Sequence, residues 1–600
     1  MERREFLAAG IALAIGSRAV KQPDVRRAAV VIGVNKVGDL PRLRAAVSGA
    51  ESVATWLQGE GFDVTLCTDA ANPVRANDLF TAVNTLVRRG TLDQLVIYFA
   101  GHGFINSYSE FWLLSEGPDN PNEAVSLNES VVLARLSGIK NVVFISDACR
   151  SRAEGLRTER VRGSLIFPNS AIRPNVITDV DQFLATLVGD PSWEVPLDQS
   201  SAAFAGLYTN CFLDAFRRPD RSMVRTIDGK DVIPNNLLKP FLAREVPARA
   251  RAIQITLDQR PVSLVVSDAT TYIGRVADVQ GLPSNTAPPT PTISDVASAA
   301  LESVGAGAIT GGGQDVSSEA VNRLAEETGF ARASATILQA RGLPAEVTAR
   351  TRFIISGQRL ESVTVHPSFV ARFTNTEDPR RSAFVEVDHR GSPGASVLLR
   401  FANGTSTIIA ALEHYVGTVV VQDNAVSNVS YQHSLIRLSD TDASRLEQLR
   451  AAVATAARFG VFRIEGARQN RDRGAAQLAG RIRVMKGIDP TLGLYAAYAY
   501  ADAGLPDQVR SVREYMRGDL GVDLFDVAML SSSTRSWTSS QLFPFFPMLS
   551  QGWSLLRVCG AKLDEGLAEA HNHLLPGLWT TLDAVGSGIV ELALRAGRVR

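Results

Sequence analysis

The chain is poor in the residues that build cofactor and metal sites. Four cysteines among 600 residues are too few for a disulfide framework, and Cys67, Cys149, Cys211 and Cys559 show no metal-ligand spacing. Seven histidines are also few. His571 and His573 stand two apart in a stretch of helical period, where that spacing points to different faces, so no metal is expected there. Net charge is absent as well: 62 basic residues cancel 62 acidic ones, leaving no global field to draw nucleic acid or an anionic membrane. Nowhere does an apolar run reach the ~18 residues of a membrane helix, so no membrane-spanning segment is expected. What is present is apolar material, 45% of the chain against 21% charged. That is enough for well-buried cores, and 600 residues are too many for one ordinary domain.

Composition and periodicity divide the chain. Residues 1–20 place Arg3 and Arg4 before a short apolar run and then small residues, the pattern of a twin-arginine export signal. The expected location is the periplasm or outside the cell, with the cytoplasm as the alternative. From 26 to 267, apolar β-branched runs alternate with stretches of helical period. Residues 28–34 (AAVVIGV), 62–66, 95–100 (LVIYFA) and 142–145 (VVFI) read as strands buried on both faces. Residues 43–57 and 76–87 between them read as helices. Residues 183–188 are expected to form a fifth strand, 202–216 and 236–245 two helices, and 253–266 a strand region. This order predicts an α/β fold with a doubly wound, mostly parallel sheet. Residues 282–316, rich in proline and small residues, read as a linker. A short helical segment over 317–360 is expected, then a small β-rich domain over 361–438 with an Asn403-Gly404 hairpin turn, then an α-helical region over 439–600.

Two reactive side chains end two of the buried strands. LVIYFA runs into Gly101-His102-Gly103, and VVFI into Ser146-Asp147-Ala148-Cys149-Arg150. Open parallel sheets present their chemistry beyond these carboxyl ends. Cysteine attacks as the thiolate, and a neighbouring imidazole both lowers its pKa and delivers a proton to a leaving amine. The backbone amides of Gly103 and Cys149 would supply an oxyanion site. The remaining cysteines, Cys67, Cys211 and Cys559, lie in apolar patterns and read as small buried hydrophobes.

Over residues 28–266, the YFAGHG and DACRS elements and the strand before them resemble the caspase and metacaspase peptidases. The ~50-residue interval from histidine to cysteine agrees. The resemblance implies a caspase-like sheet and a cysteine endopeptidase acting on proteins or peptides. In it Cys149 would be the nucleophile and His102 the general acid/base. Two residues before the cysteine, animal caspases carry Gln and metacaspases an acid. Asp147 therefore implies a pocket for Arg or Lys rather than Asp. CHAT and gingipain-like peptidases share the sheet and dyad, but the spacing and the helix after Asp39 fit the caspase-like pattern better. Calcium activates several metacaspases. Asp179 and Asp181 alone are weak evidence for such a site, so no cofactor is assigned.

Five arginines, Arg150, Arg152, Arg157, Arg160 and Arg162, crowd the polar stretch after the cysteine. Caspase-like enzymes are cut between their subunits in this region, so Arg152, Arg157, Arg160 and Arg162 are candidate self-cleavage sites. Residues 317–600 carry no chemical motif and are expected to regulate the peptidase or recruit its substrate. The alternative for the whole chain is a catalytically silent interaction scaffold of the same fold.

Overall fold

A computed structural model describes residues 26–40, 42–106, 109–148, 151–152, 160–169, 173, 175–185, 199–252, 261–276, 295–297, 299–300, 318–327, 329–339, 351–378, 382–434, 440–458, 489–531, 542–564 and 566–600. The expected export signal lies outside these residues, as does most of the expected linker.

The N-terminal unit is built on a six-stranded sheet. Its strands are β1 (Arg27–Gly33), β2 (Asp63–Thr68), β3 (Gln94–Gly101), β7 (Asn141–Ala148), β9 (Asp179–Leu184) and β12 (Val262–Leu264), in the order β12-β9-β7-β3-β1-β2. All pairs are parallel except β12 with β9. β3 and β7 are buried at every position, as continuous apolar runs in a doubly covered sheet should be. One face holds Val96, Tyr98, Val143 and Ile145 under α1 (Ala46–Gly59), α4 (Gln199–Arg217) and α5 (Asn235–Ala252). The other holds Leu95, Ile97, Phe99, Val142 and Phe144 under α2 (Ala76–Arg88) and α3 (Leu127–Ala134). α2 presents Ala76, Leu79, Val83, Leu86 and Val87 to the sheet. Burial of each such Leu or Val stabilises the unit by about 1.5–3 kcal/mol.

A second, four-stranded sheet sits beyond the carboxyl end of the first. It orders β6 (Ala124–Ser126), β5 (Ser109–Leu113), β4 (Gly103–Asn106) and β8 (Ser151–Arg152) as β6-β5-β4-β8. A hairpin of β10 (Arg225–Ile227) and β11 (Lys230–Pro234) is completed by β13 (Tyr272–Arg275).

Asp181, on β9, ties the edge of the main sheet together. Its Oδ1 accepts from the amides of Val266 (2.8 Å) and Ser267 (3.0 Å). Its Oδ2 accepts from Ser267 Oγ (2.6 Å), Asn235 Nδ2 (2.8 Å) and Asn141 Nδ2 (3.1 Å). Both carboxylate oxygens are thus taken by protein donors. Among the described residues no group of three His, Cys, Asp or Glu side chains is placed to hold a metal ion, and no helix is long and apolar enough to cross a membrane.

Beyond the N-terminal unit, α6 (Ser318–Glu327) and α7 (Phe330–Gln339) lead to a β-sandwich. Val296 and Ala297, inside the expected linker, are buried with Val321, Leu324 and Phe330. The sandwich starts at β14 (Thr351–Ser356), ten residues before the expected boundary. It continues through β15 (Leu360–Val365), β16 (Val370–Asn375), β17 (Ala383–Asp388), β18 (Gly394–Phe401), β19 (Ser406–Leu412), β20 (Tyr415–Gln422) and β21 (Ala425–His433). These form one sheet of five strands and one of three. Gly404, at φ +87°, turns the β18–β19 hairpin at the Asn-Gly pair.

The helical region follows as α8 (Asp440–Arg458), α9 (Pro490–Asp502), α10 (Pro506–Leu520), α11 (Phe525–Leu530), α12 (Ser550–Leu555) and α13 (Ala584–Arg595). It shares one hydrophobic cluster with the sandwich. α9 is buried from Pro490 to Tyr500, the mark of a helix packed on all sides. Two backbone hydrogen bonds between Ser406 and Leu582 (2.9 and 2.8 Å) tie the segment before α13 to β19. Phe543 and Phe546 of the FPFFP run are buried.

The two halves of the chain meet at α3. The Arg557 guanidinium pairs with Glu129 (Nε to Oε1, 3.1 Å; Nη2 to Oε2) and also donates to the Gly163 carbonyl (3.4 and 3.3 Å). Arg135, just past α3, donates to the Ala501 (2.9 Å) and Asp502 carbonyls at the end of α9, where the helix dipole favours a cation. Val558 packs against the core of the N-terminal unit.

Candidate active site

His102 is fully buried in the one-residue step between β3 and β4. Its carbonyl accepts from the Leu113 amide (2.9 Å). That bond makes Gly103 and Trp112 a wide pair of the antiparallel β4–β5 ladder. In a wide pair the amide and carbonyl point away from the partner strand. The Gly103 N–H therefore faces the β8 side of the small sheet.

Cys149 lies outside the described residues, as do Arg150 and Arg157. Of Arg152 only the backbone is described. The ladders on either side are informative. β3 and β7 end on the pair Gly101–Ala148, and β4 and β8 begin on the pair Phe104–Ser151. Both pairs are 47 residues apart, and both ladders are parallel.

Asp147 is 2% exposed, on the α1–α4 face of β7 with Val143 and Ile145. Its Oδ2 accepts from the Thr209 amide of α4 (3.1 Å) and from the Thr209 hydroxyl. The same hydroxyl is 2.6 Å from Tyr98 Oη. Because the Thr209 proton goes to Asp147, Tyr98 is the donor in that contact. Burial pushes the Asp147 carboxyl up to about 8, and the two Thr209 donors pull it down. Asp147 is thus a buried carboxyl bound to α4 on the α1–α4 face of the sheet.

On the opposite face, Glu110 is 1% exposed. Its Oε1 accepts from Trp112 Nε1 (3.0 Å) and from Ser146 Oγ (2.9 Å). The Trp112 ring stacks on Phe99 at 4.8 Å. Glu110 therefore joins the hairpin after His102 to the strand that leads to Cys149. Thr209, Tyr98 and Glu110 were not anticipated from the sequence. The available signal was polar or ionisable groups interrupting apolar runs, in LVIYFA, SEFWL and GLYTNCFL.

The remaining cysteines behave as apolar fillers. Burial pushes the Cys67 thiol up to about 11 and those of Cys211 and Cys559 to about 12. Cys559 lies in a turn past α12 rather than in a helix. His571 and His573 belong to a 3-10 turn, Leu567–His573, and go to separate partners. His571 stacks on Trp553 (5.8 Å), and burial, with Arg162 and Arg557 nearby, lowers its imidazole to about 4. His573 contacts Asp583 (3.0 Å).

Of the loop arginines with described side chains, Arg160 and Arg162 are exposed. The amides of Arg162 and Gly163 both donate to the Pro121 carbonyl (2.9 and 3.1 Å), and Ser164 bridges to β6. The exit of this loop is therefore pinned between the N-terminal unit and Arg557.

The family profile of the caspase domain matches residues 26–229. Similar solved structures include a protein of Geobacter sulfurreducens, at 16% identity over 40% of this chain and 92% of that one, TM-score 0.26. Caspase-1 from Spodoptera frugiperda is 11% identical over 42% and 92%, TM-score 0.28. The Drosophila initiator caspase Dronc is 11% identical over 48% and 97%, TM-score 0.25. A search of curated proteins found no match.

Proposed function

We propose, from the premise that residues 26–229 of this chain belong to the caspase-domain family, that the protein is a cysteine endopeptidase with Cys149 as nucleophile and His102 as general acid/base. The observation that carries this reading is the shared register of the two parallel ladders. Gly101 pairs with Ala148 and Phe104 with Ser151. His102 and Cys149 are separated by the same 47 residues in sequence and stand in the chain between those pairs, which supports reading them as partners.

The chemistry follows from that placement. The Cys149 thiolate attacks the carbonyl carbon of the scissile bond, and the oxyanion is held by the amides of Gly103 and Cys149. His102 gives its proton to the departing amine as the C–N bond breaks, leaving a thioester. Water, deprotonated by His102, then attacks the thioester and releases the acid and the thiol. Asp147 gives the pocket its preference for Arg or Lys, since a buried carboxylate is stabilised by pairing with a cation.

The C-terminal half acts in this reading as a regulator rather than a recruiter. Its contacts are with α3 and with Gly163, at the exit of the loop that follows Cys149. The self-processing cut falls at or before Arg160, because the amide after Arg162 is tied to Pro121.

A panel of fluorogenic peptides with Arg, Lys or Asp before the cut, with and without calcium, tests the proposal on wild type and Cys149→Ala. Turnover after Arg or Lys that vanishes in Cys149→Ala is expected. Turnover that survives that change, or none under any condition, would favour the silent scaffold.

A further inference from the structure

The Asp147 carboxylate is approached asymmetrically. Both of its hydrogen bonds among the described residues fall on Oδ2, one from the Thr209 amide and one from the Thr209 hydroxyl. The amide can only donate. The hydroxyl is itself oriented, because Tyr98 Oη donates into its oxygen at 2.6 Å and leaves its proton for Asp147. Oδ2 is therefore committed as an acceptor whatever the ionisation state of the acid. When Asp147 is protonated, its proton sits on Oδ1.

We propose that Thr209 is the positioning residue of the basic pocket, fixing Asp147 Oδ2 so that Oδ1 is the one oxygen over which a proton and the cation of an Arg or Lys side chain compete. This rests on the reading of Asp147 as the pocket acid. It goes further by making recognition of the basic side chain a proton exchange: the cation arrives and the Oδ1 proton leaves to solvent.

The surroundings agree with that exchange. The ionisable groups facing Asp147 are Tyr98 from β3 and Tyr208 and Cys211 from α4. All three have their ionisation pushed upward by burial and are neutral at pH 7, so the site is poor in countercharge. The Tyr208 hydroxyl is buried and has no hydrogen-bond partner among the described residues. Gly49 of α1 packs against the Tyr98–Thr209 pair: a Cβ there would stand 3.5 Å from Tyr98 Oη and 3.8 Å from Thr209 Oγ1, at ordinary contact distance.

The test is calorimetric and needs no turnover. The full-length Cys149→Ala protein is titrated with an acetylated hexapeptide amide carrying one central Arg, and with its citrulline twin, from pH 6 to 9. The twin carries any contribution from His102. Relative to citrulline, Arg affinity should rise about tenfold per pH unit and level off near pH 8, with about 0.9 proton released at pH 7. Adding Thr209→Val removes the hydroxyl donor, moves the midpoint above 8 and costs roughly tenfold in relative affinity at pH 7. Thr209→Ser should restore the original profile. A Thr209→Val midpoint equal to that of the parent would overturn the role of Thr209. If that variant does not fold, Tyr98→Phe decides: a smaller shift in the same direction is expected, and an unchanged midpoint overturns the proposal. Asp147→Asn keeping the full Arg-over-citrulline preference would instead overturn the pocket reading on which it rests.

Discussion

Replacing Arg557 with Ala removes the guanidinium that joins the C-terminal half to α3 and to Gly163. The Glu129 side chain is 6% exposed and that of Arg557 49%. Glu129 would be left nearly buried and without its partner, while the half-exposed arginine was partly screened in the first place. A charge-assisted pair of this kind contributes about 1.5–3 kcal/mol when dry and under 1 kcal/mol when fully exposed. The expected loss lies between, at about 1–2 kcal/mol. Urea unfolding of wild type, Arg557→Ala, Glu129→Gln and the double variant would isolate the pairwise coupling. Loosened docking also frees the segment after Arg160, so Arg557→Ala should fragment faster than wild type. A coupling below about 0.3 kcal/mol, with fragmentation at the wild-type rate, would refute the latch.

Further tests address separate parts of the molecule. Asp181→Ala strips the acceptor from five donors on three segments and should cost at least about 3–5 kcal/mol, read as a lower urea midpoint. A variant as stable as wild type would show that those donors find other partners. Purified wild type should separate into two fragments cut at or before Arg160, and Cys149→Ala should stay whole. Equal fragmentation of the two would remove self-processing from the account.

The centre of the main sheet was legible because β1, β3 and β7 are buried on both faces and read as unbroken apolar runs, whereas the edge strand β2 is largely exposed. The second sheet was not legible. β4 and β5 are short, and their own residues mix Phe, Trp, Ser, Asn and Glu without a period-2 pattern. α3 is eight residues long and carries Asn and Glu within its apolar turns. β14 was read as part of a helical segment because TRFIIS stands alone, and it becomes a strand by pairing with β17 and β20 far along the chain. As candidate site residues, His102, Gly103, Asp147 and Cys149 were picked out by their place after apolar runs in the sequence. The partner of Asp147 could not be read, because Thr209 lies 62 residues away on a helix that packs across the sheet. The latch was equally hidden: Arg557 and Glu129 are 428 residues apart.

The central claim is that Cys149 is the activated thiol. A peptidyl-arginine chloromethyl ketone, limiting and at pH 7, offers all four cysteines the same electrophile, and mass spectrometry locates the adduct. Burial holds the thiols of Cys67, Cys211 and Cys559 at about 11 to 12, so they contribute almost no thiolate at that pH. Alkylation confined to Cys149, and slowed by His102→Ala, is the predicted result. An adduct on Cys67, or labelling of Cys149 at the same rate without His102, would contradict it.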